Sequence, residues 1–162
     1  MKTKNLFATV LAVVFLITGC VDSSRFDVYD DDQKIASTSN SFNLTNVNQA
    51  SEDGHFTASV EKMEGMDTLW SIDAEEDITL DITYTLNVSS GKAKLVLINP
   101  DGELSIITEC NSEMTEPAQS ELNLEKGKNR IKLVAAEKAK FDIELSISEG
   151  KFEKLGFDRT IQ

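Results

Sequence analysis

Two cysteines, one histidine, one tryptophan and several runs of carboxylates are the side chains best suited to chemistry in this sequence. His55 stands beside Gly54 with no second histidine to share a metal, and no nucleophile can be assigned to it as a partner. The acidic runs at 30–32, 73–77 and 113–116 supply carboxylate pairs, but each lies in a polar segment. Raising a carboxyl pKa for acid catalysis takes apolar burial, and solvated loops do not provide it. The same runs offer hard oxygen ligands for calcium, yet neither "YDDDQ" nor "DAEED" has EF-hand spacing, and Gly102 is misplaced for such a loop at 99–109. Only a motif-free loop site would suit calcium. Cys110 sits between Glu109 and Asn111, a poor setting for a reactive thiolate, and shares strand parity with Leu104 and Ile106. It reads as a small core residue. Trp70 shares parity with Thr68 and Ile72, which makes it a core residue and not an exposed platform for a sugar ring. Tyr84 lies within an apolar strand face and reads as structural. These observations predict no enzyme, no cofactor and no metal site.

The first cysteine has a different setting. Lys2 and Lys4 precede an apolar run of 12 residues, Leu6 to Ile17, interrupted only by Thr9. As a helix it would reach about 18 Å, short of a hydrocarbon core of about 30 Å. A basic start, a short apolar stretch and small residues before a break mark a secretory signal. Its end, Ile17-Thr18-Gly19-Cys20, resembles the bacterial lipobox. The resemblance implies cleavage before Cys20 and attachment of lipid to its thiol. Two or more acyl chains anchor a protein stably where one does so only marginally. The expectation is a signal peptide at 1–19, lipid attachment at Cys20, and an extracytoplasmic domain on the cell membrane.

The formal net charge of −12 opposes binding to nucleic acid and close docking on an anionic membrane. With Cys20 acylated, Cys110 has no disulfide partner within the chain, and one cysteine cannot build a thiolate metal site.

The elements that must position any site are strands. Residues 20–54 are rich in Ser, Thr, Asn and Asp, hold no lasting period, and read as a lipidated N-terminus with a flexible tether spanning roughly 30 Å if coil-like. Phe42 and Leu44 leave an early edge strand as an alternative. From 55 onward the period is two. In "ITLDITYTLNV" the residues Ile78, Leu80, Ile82, Tyr84, Leu86 and Val88 share one face, and "FDIELSI" repeats the pattern. Asn99-Pro100-Asp101-Gly102 predicts a hairpin turn. About eight short strands with turns between them, and no long helical pattern, predict an all-β, two-sheet antiparallel β-sandwich over 55–149, jelly-roll-like or immunoglobulin-like. Residues 150–162 fall outside the alternation and read as a C-terminal tail, with Phe152, Leu155 and Phe157 available to cover an edge.

"SSGKAKLVLINPDGE", "LNLEKGKNRIKLV" and "KFDIELSI" together resemble small Gram-positive bacterial lipoproteins with a single β-sandwich domain. The resemblance covers roughly 56–148 and rests on turn signals. It implies a fold and no catalytic residues.

The functional expectation is a membrane-anchored, non-catalytic binding module for a glycan or peptide ligand, with a monomeric sandwich. The alternative is a structural or accessory subunit of an envelope protein assembly. A carboxylate-based glycosidase ranks behind both.

Overall fold

The computed structural model describes residues 28–111 and 117–156. It is all-β apart from one short helix, α1 (Asp32–Ala36). The strands are β1 (Ser41–Glu52), β2 (His55–Ala74), β3 (Ile78–Ile98), β4 (Leu104–Cys110), β5 (Ala118–Leu124), β6 (Gly127–Ile147) and β7 (Lys151–Phe152), paired antiparallel throughout. The expected sandwich-like architecture is present, with seven strands among the described residues where the sequence predicts about eight.

The difference has a physical origin. β2, β3 and β6 each run for 20 or 21 residues, far beyond an ordinary strand, because each passes through both layers. Residues 56–61 and 68–72 are the two halves of β2. β3 joins 78–88 to the first hairpin arm, and β6 joins 130–135 to 141–147. The ladders slip at residues 60–65 of β2, 88–92 of β3 and 135–139 of β6, where extra residues bend the strands. Asn46, Glu137 and Lys138 adopt positive φ near these slips, as does Gly91. A Cβ on Gly91 would lie 2.7 Å from the Ala136 carbonyl oxygen, so glycine permits this close crossing of β3 over β6.

On one side of this belt the strand order is β1-β2-β6-β3-β5, and on the other β1-β2-β6-β3-β4, with β7 extending the β2 edge where β1 has ended. The two layers close on a shared core. Phe56, Ile82, Leu86, Phe141 and Leu145 come from the first layer, and Leu69, Trp70, Leu95, Ile131 and Leu133 from the second. A bulge between Thr68 and Trp70 lets Leu69 and Trp70 both reach this core.

The second layer buries its outer face too. Met66, Val96, Ile98 and Val134 lie under Val28, Tyr29 and Ile35. Behind them Lys132, fully buried, donates from Nζ to the carbonyls of Ser37 and Ser39, each at 2.7 Å. Arg130 donates to the carbonyls of Ala36 at 3.0 Å and Ser37 at 3.2 Å. These charges satisfy backbone acceptors at and just past the C-terminal end of α1. The phenol of Tyr29 donates to Glu109 at 2.9 Å while the Lys92 and Lys94 ammonium groups lie 4.3 and 4.6 Å from its ring centre.

The tether boundary therefore changes. Within 20–54, residues 28–52 belong to the folded unit, as strap and edge strand. Three apolar side chains suffice for the strap because it covers a surface already formed. β1 looks like a linker in composition because an edge strand leaves most of its residues exposed. Residues 150–156 of the expected tail also pack. β7 pairs with Trp70 and Ser71, Phe152 stacks on Phe56 at 5.7 Å, and Leu155 is fully buried. Gln49 holds the Leu155 backbone from both sides, donating to its carbonyl and accepting from its N–H. Among the described residues, 28–52 and 150–156 thus pack with the sandwich expected over 55–149.

Candidate functional site

Among the described residues nothing covers the outer face of the first layer, and the period of two dictates what it carries. With Phe141, Ile143, Leu145 and Ile147 turned inward on β6, Asp142, Glu144 and Ser146 face out. β2 contributes Thr57 and Ser59 by the same rule, and β3 contributes Thr83, Thr85 and Asn87. The register assembles them into rows across the strands. One row is Asn48, Ser59, Asp142 and Asn87. The next is Ala50, Thr57, Glu144 and Thr85. A third is His55, Ser146, Thr83 and Gln119. The first two rows line a shallow trough of about 350 Å³. Ser59 donates to Asp142 across it at 2.5 Å. The lining contains two carboxylates, amides and hydroxyls, and no aromatic ring, lysine or arginine.

His55 is not isolated, contrary to the sequence expectation. Its Nδ1 lies 2.9 Å from Ser146 Oγ and its Nε2 lies 3.6 Å from Glu144 Oε1. Carboxylate, imidazole and hydroxyl thus form a line of the kind that activates serine nucleophiles. The surroundings do not complete it. The histidine side chain is 42% exposed and the glutamate 61%, so water screens both. Among the described residues the adjoining β2 and β6 backbones are committed to their ladder and offer no convergent N–H pair for an oxyanion.

The other candidate residues have structural positions. Cys20 and the acidic run at 113–116 lie outside the described residues. Asp31 caps α1, accepting from the Lys34 N–H at 3.0 Å, and the Lys34 ammonium 2.9 Å away holds its carboxyl below the usual range. Asp77 accepts from the Lys126 N–H at 2.8 Å, tying the 75–77 turn to the β5–β6 connection. Asn99 closes the Asn99–Glu103 hairpin through its backbone and side chain, and its Nδ2 also donates to Glu125. No group of three or more His, Cys, Asp or Glu side chains converges as a metal site among the described residues. Cys110 is buried in the core, but its parity does not account for this: Ile106, of the same parity, is exposed, because the β3–β4 ladder shifts register between Ile106 and Thr108. Trp70 is also in the core, with its indole N–H donating to the Glu149 carbonyl at 2.9 Å. Tyr84 packs against the core and donates to the Ile107 carbonyl at 3.5 Å. Burial pushes the Tyr29 phenol far above its ordinary value, and its bond to Glu109 adds to the shift. Burial lowers Arg130.

No family model matches the chain, and no curated protein does. Among solved structures it is similar to a carbohydrate-binding module from Cellvibrio mixtus lichenase 5A in complex with cellotriose. The identity is 13%, over 72% of this chain and 94% of that one, with a TM-score of 0.39. It is also similar to TmCBM61 in complex with β-1,4-galactotriose, at 10% identity over 73% and 93% with a TM-score of 0.37. Procruciferin, an 11S globulin from Brassica napus, is similar at 12% identity over 99% and 39% with a TM-score of 0.33. At these scores the likeness carries nothing about function to this chain.

Proposed function

We propose that this chain is a non-catalytic glycan-binding module, held by lipid on Cys20 at the extracytoplasmic face of the cell membrane, and that the polar trough is its binding face. The observation that carries the reading is the trough itself. It is an open concavity whose side chains both donate and accept hydrogen bonds, set on the strands of a closed sandwich. Rigid strands hold such groups more accurately than loops do. The Ile17 to Cys20 motif supports the anchor. The test is retention of the full chain on a panel of immobilised polysaccharides, beside a variant carrying Asp142→Ala and Asn87→Ala. Retention that disappears in the variant supports the reading. No retention on any glycan overturns it. Fatty-acid labelling of the chain and of Cys20→Ala tests the anchor; label persisting in the variant refutes it.

One observation favours the accessory-subunit reading. β4 is an outer strand of the second layer and carries Ile106, the one large apolar side chain described as exposed, at 54%. A strand at the sheet edge among the described residues, beside an apolar side chain, suits a protein partner. Ile106→Lys should then abolish co-purification of an envelope protein while leaving glycan retention intact.

A further inference from the structure

We infer that the trough takes a neutral, polyhydroxylated oligosaccharide lying across the strands, about one sugar to each strand, and excludes anionic glycans. The inference rests on the glycan-binding reading and specifies its ligand class.

The direction follows from spacing. The two rows that line the trough each cross β1, β2, β6 and β3. Neighbouring strands stand about 4.8 Å apart, whereas residues on the same face of one strand recur at about 6.8 Å. A pyranose in an extended 1,4-linked chain advances by close to one strand spacing. A chain laid across the strands along the Asn48, Ser59, Asp142 and Asn87 row therefore meets a new polar side chain with each sugar. Laid along a strand it falls out of step. Four strands set about 14 Å between the outermost groups, which is room for four units.

The charge preference follows from the lining. Asp142 and Glu144 lie at the middle of the two rows, on the strand between β2 and β3. Ionised carboxylates only accept hydrogen bonds, and each offers about four lone-pair sites. The Ser59 hydroxyl occupies one of those on Asp142. Sugar hydroxyls supply the donors that remain to be matched, and Asn48 and Asn87 at the flanks can donate or accept in return. The nearby Lys140 ammonium is committed to Glu61, reaching both carboxylate oxygens at 3.1 Å. A uronate or phosphate in the trough would thus meet two like charges with no cation in the lining among the described residues.

Titration calorimetry of the full chain tests this with neutral 1,4-linked gluco-, manno- and galacto-oligosaccharides of two to six units, beside uronic acid oligomers of the same linkage. At least one neutral series should bind, gaining affinity with each sugar up to four and little after. The uronic acid oligomers should bind roughly tenfold more weakly or worse, as expected from facing like charges. Asp142→Asn with Glu144→Gln should narrow that gap from both sides, weakening the neutral ligand and strengthening the anionic one. A purely structural role would not produce that crossing. A plateau at two units, equal affinity for uronic acids, or preference for a tetralysine peptide over every neutral oligosaccharide would each overturn the inference. If all the neutral 1,4-linked series fail while an immobilised polysaccharide still retains the chain through Asp142 and Asn87, this inference falls alone. If nothing is retained, the glycan-binding reading falls with it.

Discussion

The turn at Gly150 closes directly over the only tryptophan of the chain, and adding one methyl group there tests how the C-terminal segment is seated. A Cβ at this position would lie 2.4 to 2.6 Å from three atoms of the Trp70 indole. Carbon atoms in contact prefer about 3.5–4.0 Å, so the ring or the turn must move by roughly an ångström. The ring has little freedom, being fully buried with its N–H bonded to Glu149. Overpacking of this kind costs about 1–3 kcal/mol. Gly150 also has φ of +84°, where an L side chain adds about 1–2 kcal/mol. Gly150→Ala should therefore destabilise by about 2–5 kcal/mol, lowering the melting temperature by roughly 8–20 °C for a domain of this size. Gly102→Ala separates the two contributions, since Gly102 has the same φ of +84° with no atom within 4 Å of its would-be Cβ. It should lose only the backbone share, about 1–2 kcal/mol. Thermal melts followed by Trp70 emission measure both variants, because the reporter is the residue struck. Equal melting temperatures for the two variants, with unshifted emission, would refute the claim that the Gly150 turn is closed on the indole.

Three further outcomes are expected. A chain starting at residue 51 should lose cooperative melting that a chain starting at residue 28 retains, since it lacks the strap over Val96, Ile98 and Val134 and most of β1; coincident melts would return those residues to a tether. Tyr29 remains neutral in the folded state where an unfolded phenol ionises, so its contribution is fully present below about pH 10 and is lost as pH rises above it. Tyr29→Phe should flatten that alkaline decline in urea melts taken between pH 8 and 11, and an identical decline in the variant would remove Tyr29 as its source. The Cys110 thiol, buried in the core, should react slowly with a thiol reagent in the folded protein and rapidly in denaturant; matching rates would place it at the surface.

Much of the first layer was legible because its strands alternate strictly. The parities of "ITLDITYTLNV" and "FDIELSI" gave the inward residues and, by elimination, every outward residue of β3 and β6 in the trough rows. What parity cannot give is register. Asp142 facing Ser59 and Asn87, or His55 facing Ser146, depends on how far strands distant in sequence slide past each other. The isolation expected of His55 failed for that reason. The strap was missed although one signal for it was present. In "KLVLI" and "IKLVA" the alternation lapses into continuous apolar runs, the pattern of strands covered on both faces. Those strands needed a cover, and Val28, Tyr29 and Ile35 were available. The bends escaped because a slip of one or two residues leaves each half-strand with a sound alternating pattern of its own. Only Gly65 and Gly91 hinted at them.

The continuity of β1, β2, β3 and β6 through the bend belt sets this molecule apart from a sandwich whose layers are joined only by loops. In a loop-joined pair, one layer can peel away while the other keeps its ladder. Here the same backbones carry both ladders, so separating the layers means unbending four chains at once. The layers accordingly share a single opening equilibrium. Slowly exchanging amides should then form one protected class that runs without a break through both layers, and the trough should stay assembled for as long as any part of the core does.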